Sequence, residues 1–293
     1  MKHSQFFILI IVAVLAGMLG PFLAPQAGKT NIHIETAVER VLRTGILKCG
    51  YGSWEPMVII NPNTKKITGI AHDIIELAAQ KIGVKVEWTE EVGWAEFAQA
   101  MNGKRFDVFC TGFLPTVPRE RVVDFTIPIA YSKESIWSQT TANMFDNHID
   151  LVNQPSTRIV FVDGTVAASL IQHEFPKAHY VSLPELTPIA NIFQELAANK
   201  ADITVMDEAT ANDFIKKNPG KIKLVKGGSG YRVFPNKFAV AEGEYGLQQL
   251  LNSTLDEMQR EGTIDKILKQ YEPLPGSYYR TAKAYYTGEE KHD

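Results

Sequence analysis

Residues 111–125 read TGFLPTVPRERVVDF. Just upstream, FDVFCTG (106–112) has the apolar composition of a buried strand, and VVDF returns to that pattern downstream. Between them stand Thr116, Pro118 and two arginines, Arg119 and Arg121. On a solvated loop such charges would have no special role, as is usual for arginine. Just past a strand end, one of them could also be aimed at an anion. A planar, permanently charged guanidinium forks onto a carboxylate with two parallel hydrogen bonds. The flanking sequence decides between these readings.

Working outward, AVERVLRTG (37–45) is a short amphipathic helix ended by Gly45, and ILKCGY (46–51) a strand. SWEPMVIINPNTKKITG (53–69) reads as a loop with a turn at Asn61–Thr64. AHDIIELAAQKIG (71–83) is a helix with Asp73 near its start and Gly83 at its stop. VKVEWTE (84–90) alternates as a strand, and WAEFAQAMNGK (94–104) is a helix ended by Gly103. The rhythm strand, helix, strand, helix, strand predicts a parallel sheet covered by helices on both faces. After the extended segment around IPIAY (127–131) a second cycle begins: RIVFVDGT, VAASLIQHEFP, AHYVSL, IANIFQELAANK, ADITVMD, EATANDFIKKNPG and IKLVKGG. GYRVFPNKFAVAEG is extended again, and two strongly amphipathic helices close the body (247–272). The expectation is an α/β protein of two lobes, each a mostly parallel sheet flanked by helices, joined by two hinge crossings near 127–136 and 228–236. Such a hinge opens and closes a ligand cleft. The lobes are expected at 31–130 with 232–275, and at 131–231.

The chain has 293 residues, 45% of them hydrophobic, enough for a large core, and a net charge of −3, which does not suggest a nucleic-acid binder. Lys2 and His3 precede an apolar run from Phe6 to Leu23 and then small polar residues. Residues 1–27 therefore read as an export signal, cleaved or retained as a single anchor. Cys49 and Cys110 each end an apolar strand and match no zinc or redox spacing. Export permits a disulfide, but bridging adjacent strands usually strains the geometry, so two buried free thiols are expected. Residues 276–293 form a separate tail in which Tyr278, Tyr279, Tyr285 and Tyr286 recur. The seven histidines lack ligand spacing, so no metal or other cofactor is expected.

The body from about Arg40 to Glu272 resembles the extracytoplasmic solute-binding proteins of ABC importers, in the polar amino-acid-binding branch (family 3), whose fold is the type II periplasmic-binding-protein fold. The resemblance rests on GILKCGYGSWEPM, GIAHDIIELAAQKIG, MNGKRFDVFCTG, TVPRERVVDFTIPIAY and LNSTLDEMQREGTIDKILKQY, five motifs in the family's order. It implies binding of a small carboxylate-bearing solute, an amino acid or related compound, and delivery to an ABC permease. It further implies a periplasmic monomer that meets the membrane only through its leader or that permease.

By the same resemblance, Arg119, three residues after Thr116, clamps the ligand carboxylate, and Asp207, at the end of ADITVMD, takes the ammonium. Capping the following helix is the structural alternative for Asp207, and the two roles are compatible. Gly164 and Thr165 would offer backbone amides to the carboxylate at a helix start. Trp54 and Trp94 would wall the pocket, although either could serve as core. Gly112 and Leu114 stand where the family places hydroxyls, which implies a less polar ligand or one that is not a standard α-amino acid. The same fold occasionally carries enzymes, such as a cyclohexadienyl or arogenate dehydratase, which would need a positioned acid such as Glu55, Glu185 or Glu208. No nucleophile or metal motif accompanies these residues. A ligand-sensing module is a third class, which normally has an output region.

Overall fold

The computed structural model describes residues 34–281; the leader, Tyr285 and Tyr286 lie outside them. Thr36 starts Ala37–Thr44 (α1) with a capping box to Glu39, and Gly45 stops it in the left-handed conformation. Ile46–Tyr51 (β1) follows. The segment read as a loop holds a small hairpin, Ile59–Ile60 (β2) with Ile67–Thr68 (β3), around the expected turn. Gly69 then enters Ile70–Ile82 (α2) at φ 123°. A Cβ there would lie 2.6 Å from the Met57 carbonyl oxygen. The missing side chain lets the Pro56 and Met57 carbonyls accept from the first two α2 amides.

Lys85–Glu91 (β4), Phe97–Asn102 (α3) and Val108–Phe113 (β5) complete the first cycle. Val117–Glu120 (α4) and Val123–Phe125 (β6) lead into the long Ala130–Gln139 (β7). The second cycle is Arg158–Val162 (β8), Val166–Glu174 (α5), His179–Leu183 (β9), Asn191–Ala197 (α6), Ile203–Asp207 (β10), Glu208–Lys217 (α7) and Ile222–Leu224 (β11). Arg232–Ala241 (β12), Tyr245–Arg260 (α8), Thr263–Tyr271 (α9) and Tyr278–Tyr279 (β13) end the described chain.

Hydrogen bonding orders the main path β4-β1-β5-β12-β7-β10-β8-β9. β1 is parallel to β4 and β5 on one side, and β8 to β9 and β10 on the other. Between these half-sheets run β7 and β12, antiparallel to each other, with Glu134 opposite Arg232 and Ala130 opposite Asn236. This is the two-lobed α/β architecture, with its two crossings, that the strand–helix rhythm predicts. Tyr278 and Tyr279, at the start of the segment set apart as a tail, add a third strand to the crossing by pairing with Ser132 and Tyr131 of β7.

Burial follows the pattern. β5 is buried along its whole length, as expected for a central strand covered on both faces. Leu247, Leu251, Leu255 and Met258 of α8 are fully buried, and the Tyr271 hydroxyl donates to Asp73 at 2.7 Å, tying α9 to α2.

The cysteines depart from expectation: Cys49 and Cys110 form a disulfide, not two free thiols. Cys49 lies beside Val108 in the β1–β5 ladder, so Cys110 is offset by two residues along β5. That offset leaves the Cα atoms 5.6 Å apart, inside the range a disulfide spans.

Candidate functional site

The loop after β5 is built to aim Arg119. Thr116 is extended and caps α4, its hydroxyl accepting from the Arg119 amide at 3.4 Å, with Pro118 in the first turn. The Arg119 side chain turns back across the end of β5. Nη1 donates to the Leu114 carbonyl and Nη2 to the Gly164 carbonyl, both at 2.8 Å, and Cζ sits 3.8 Å from the Phe113 ring centroid. Two carbonyls and a ring face fix its direction, yet among the described residues no carboxylate lies within ion-pair distance of it. Burial pulls its pKa down to about 9, so it remains a cation without a counter-ion at neutral pH.

Arg119 lines a cavity of about 370 Å³, mouth included, that also touches Trp54, Trp94, Leu114, Thr165 and Glu134. Trp94 stacks on Phe113, their rings 13° from parallel. Thr165 is the N-cap of α5: its hydroxyl accepts from the Ala168 amide and donates to the Val162 carbonyl. The next two residues, Val166 and Ala167, also line the cavity. Amides in a helix's first turn have no intrahelical acceptor and carry the positive end of its dipole. The cavity thus has an anion-seeking end made of Arg119 and the start of α5. Its walls are apolar.

Other expected residues sit nearby in different roles. Gly164, at φ 74°, gives its carbonyl to Arg119, and a Cβ on it would lie 2.9 Å from the Ala95 amide nitrogen. Gly112, at φ 74°, packs against Met57 and Ile129 and gives its carbonyl to Asn236. Asp207 caps α7 through the Thr210 amide, and its other oxygen accepts from the Thr210 hydroxyl at 2.7 Å and from Trp54 Nε1 at 3.1 Å. Asp207 does not line the cavity; it fixes the tryptophan that does. Burial raises its pKa despite those donors. Of the acids weighed for catalysis, Glu55 meets Lys217, Glu185 accepts from the Ala95 amide and Glu208 pairs with Lys133. None of the three lines this cavity.

Sequence reasoning missed Glu134. It lies on β7, 2% exposed, and both carboxylate oxygens are buried without a hydrogen-bond partner. Burial, and then the nearby Asp207, push its pKa well above the ordinary carboxylate range. No sequence signal marked it, because in AYSKESIWSQ it reads as the polar side of a half-exposed strand. Phe113, Ile189 and Met206 are further wall residues that looked like core.

With this geometry in place, comparison with known proteins adds a lineage. The model of bacterial extracellular solute-binding proteins, family 3, matches residues 47–273. The "Probable amino-acid ABC transporter-binding protein" of Haemophilus influenzae is 25% identical over 261 residues, covering 89% of this chain and 95% of that protein. The L-cystine-binding protein TcyA of Bacillus subtilis is 23% identical, covering 92% and 97%. Among solved structures, the ancestral amino acid-binding protein AncCDT-1, a precursor of cyclohexadienyl dehydratase, superimposes with a TM-score of 0.72 at 24% identity, covering 81% of this chain and all of that one. An amino acid ABC transporter substrate-binding protein of Streptococcus pneumoniae bound to L-arginine gives 0.68 at 22% identity, covering 84% and 100%.

Proposed function

The chain belongs to the bacterial extracellular solute-binding proteins, family 3, and from that premise we propose that it captures an amino acid or a closely related carboxylate and presents it to an ABC transporter permease. The observation that carries this reading is Arg119, a directed guanidinium without a counter-ion, sharing a cavity with the first residues of α5. A ligand carboxylate would supply the absent charge. Relatives named for amino acids and cystine support the solute class. In this reading 31–130 with 232–275 move against 131–231 about β7 and β12, and the protein acts as a monomer outside the cytoplasmic membrane. The solute leaves chemically unchanged.

A melting screen against the L-amino acids tests this. A ligand at 1,000 times its Kd stabilises by about 4 kcal/mol. For a chain of this size that shifts Tm by roughly 8–16 °C. If no amino acid or small carboxylate moves the melting curve, the proposal fails. Mass spectrometry showing turnover of a bound solute would replace it with an enzymatic role.

A further inference from the structure

Buried polar atoms without partners are rare and call for an explanation. Here three of them belong to one region: Glu134 Oε1, Glu134 Oε2 and the Tyr278 hydroxyl. Register explains why they lie together. Tyr278 on β13 faces Ser132 of β7, and Glu134 is two residues along the same strand, hence on the same face. The Tyr278 hydroxyl feels the charges of Asp207, Glu134 and Glu272, a second sign of closeness. Glu134 in turn lines the cavity that holds Arg119. The cavity therefore has a basic end and an acidic end.

We propose that Glu134, backed by the Tyr278 hydroxyl, is the cation-recognising end of the cavity and receives a protonated amine of the solute while Arg119 holds its carboxylate. This rests on the amino-acid reading above and deepens it. An ammonium has three donors and no acceptor, so it can serve both Glu134 oxygens. Asp207 is poorly placed for the task, because its two oxygens already serve Thr210 and Trp54. Tyr278 comes from beyond the residues that the family model matches, on the last of the described strands.

The neighbours of Glu134 make the ammonium a linked proton switch. Asp207 on β10 and Arg232 on β12 stand opposite it in register, Tyr278 is on β13, and Arg119 lies on the cavity wall. Arg232 is committed to Glu174, and on the other face of β7 Lys133 is committed to Glu208. Arg119 is turned onto the Leu114 and Gly164 carbonyls, and among the described residues no cation lies within ion-pair distance of Glu134. Its proton is released when the ammonium arrives.

The amine could be the α-amine or one on the side chain, and the test separates them. The amino acid found by the melting screen is titrated calorimetrically into wild type, Glu134→Gln, Tyr278→Phe and Arg119→Ala. The titrations are repeated with its desamino acid and with an analogue of neutral side chain. Expected is a loss of roughly 10–100-fold in Glu134→Gln, the scale of one charge-assisted hydrogen bond. Tyr278→Phe should lose less. The Glu134→Gln loss should vanish for whichever analogue lacks the amine that Glu134 holds. Wild type should also release protons on binding over the pH range in which free Glu134 keeps its proton, read at several pH values from two buffers of different ionisation enthalpy, a measurement that needs no variant. Unchanged affinity in Glu134→Gln, an equal loss for every analogue, or no proton release overturns the proposal. If Arg119→Ala abolishes binding while Glu134→Gln does not, the amino-acid reading survives without this one. If no amino acid binds wild type, both fall.

Discussion

Removing the Arg119 side chain should separate binding from folding. In the free protein the guanidinium makes two hydrogen bonds to carbonyls, of Leu114 and Gly164, and lies over Phe113. Arg119→Ala loses those contacts, each about 1 kcal/mol, but also removes a partly buried charge that has no partner. The terms oppose each other, so the unliganded protein should stay within about 1–2 kcal/mol of wild type in urea unfolding. Binding has no such offset. Two charge-assisted hydrogen bonds to a carboxylate are worth about 1.5–3 kcal/mol each, and the α5 amides and water recover part of that. A net loss of about 3–4 kcal/mol remains, or a roughly 200–1,000-fold weaker Kd by calorimetry. Arg119→Lys keeps the charge without the fork and should fall between. In wild type the guanidinium keeps its charge through neutral pH, so affinity should not fall between pH 6 and 8 on its account. A variant that binds the solute as wild type does would refute the assignment of Arg119 as the carboxylate clamp.

Three further outcomes follow from the geometry. The disulfide closes a sequence separation of 61 residues, so Cys49→Ser/Cys110→Ser should cost about 4 kcal/mol and lower Tm by roughly 10 °C, measured by calorimetric melting. Gly164→Ala places a methyl against the Ala95 amide at a left-handed position, which should weaken solute binding by about 10-fold or more while leaving a cooperative melting transition. Glu134 holds its proton in the folded chain at pH values where the unfolded chain has lost it. The stability this gives is complete below the ordinary glutamate value of 4.5 and declines as pH rises toward the folded pKa. The decline can reach about 1.4 kcal/mol per pH unit, and Glu134→Gln should flatten it in urea melts run from pH 5 to 8.

The alternation of strands and helices made the two half-sheets legible, because each helix carries its own stop signal, Gly45 and Gly83 among them, and each central strand is a short apolar run. Arg119 was singled out by the resemblance, as the arginine three residues after Thr116; the residues alone left it between a solvated charge and an anion ligand. What the sequence concealed depends on register between distant segments. Glu134 in AYSKESIWSQ looks like the polar side of a half-exposed strand; only pairing with β10, β12 and β13 buries it. Tyr278 looked like part of a tail for the same reason. The two cysteines were misjudged because the offset between β1 and β5 is a tertiary fact. Asp207 was noticed for its place at the end of a strand, but whether its oxygens face a ligand or Trp54 depends on a contact between residues 153 positions apart.

The joint of this molecule is woven from three separate stretches of chain, β7, β12 and β13. The whole second α/β cycle lies between the first of these and the second. Neither half can therefore settle on its neighbour before that intervening chain has been made. Contacts so distant along the chain are slow to close, so the joint sets late.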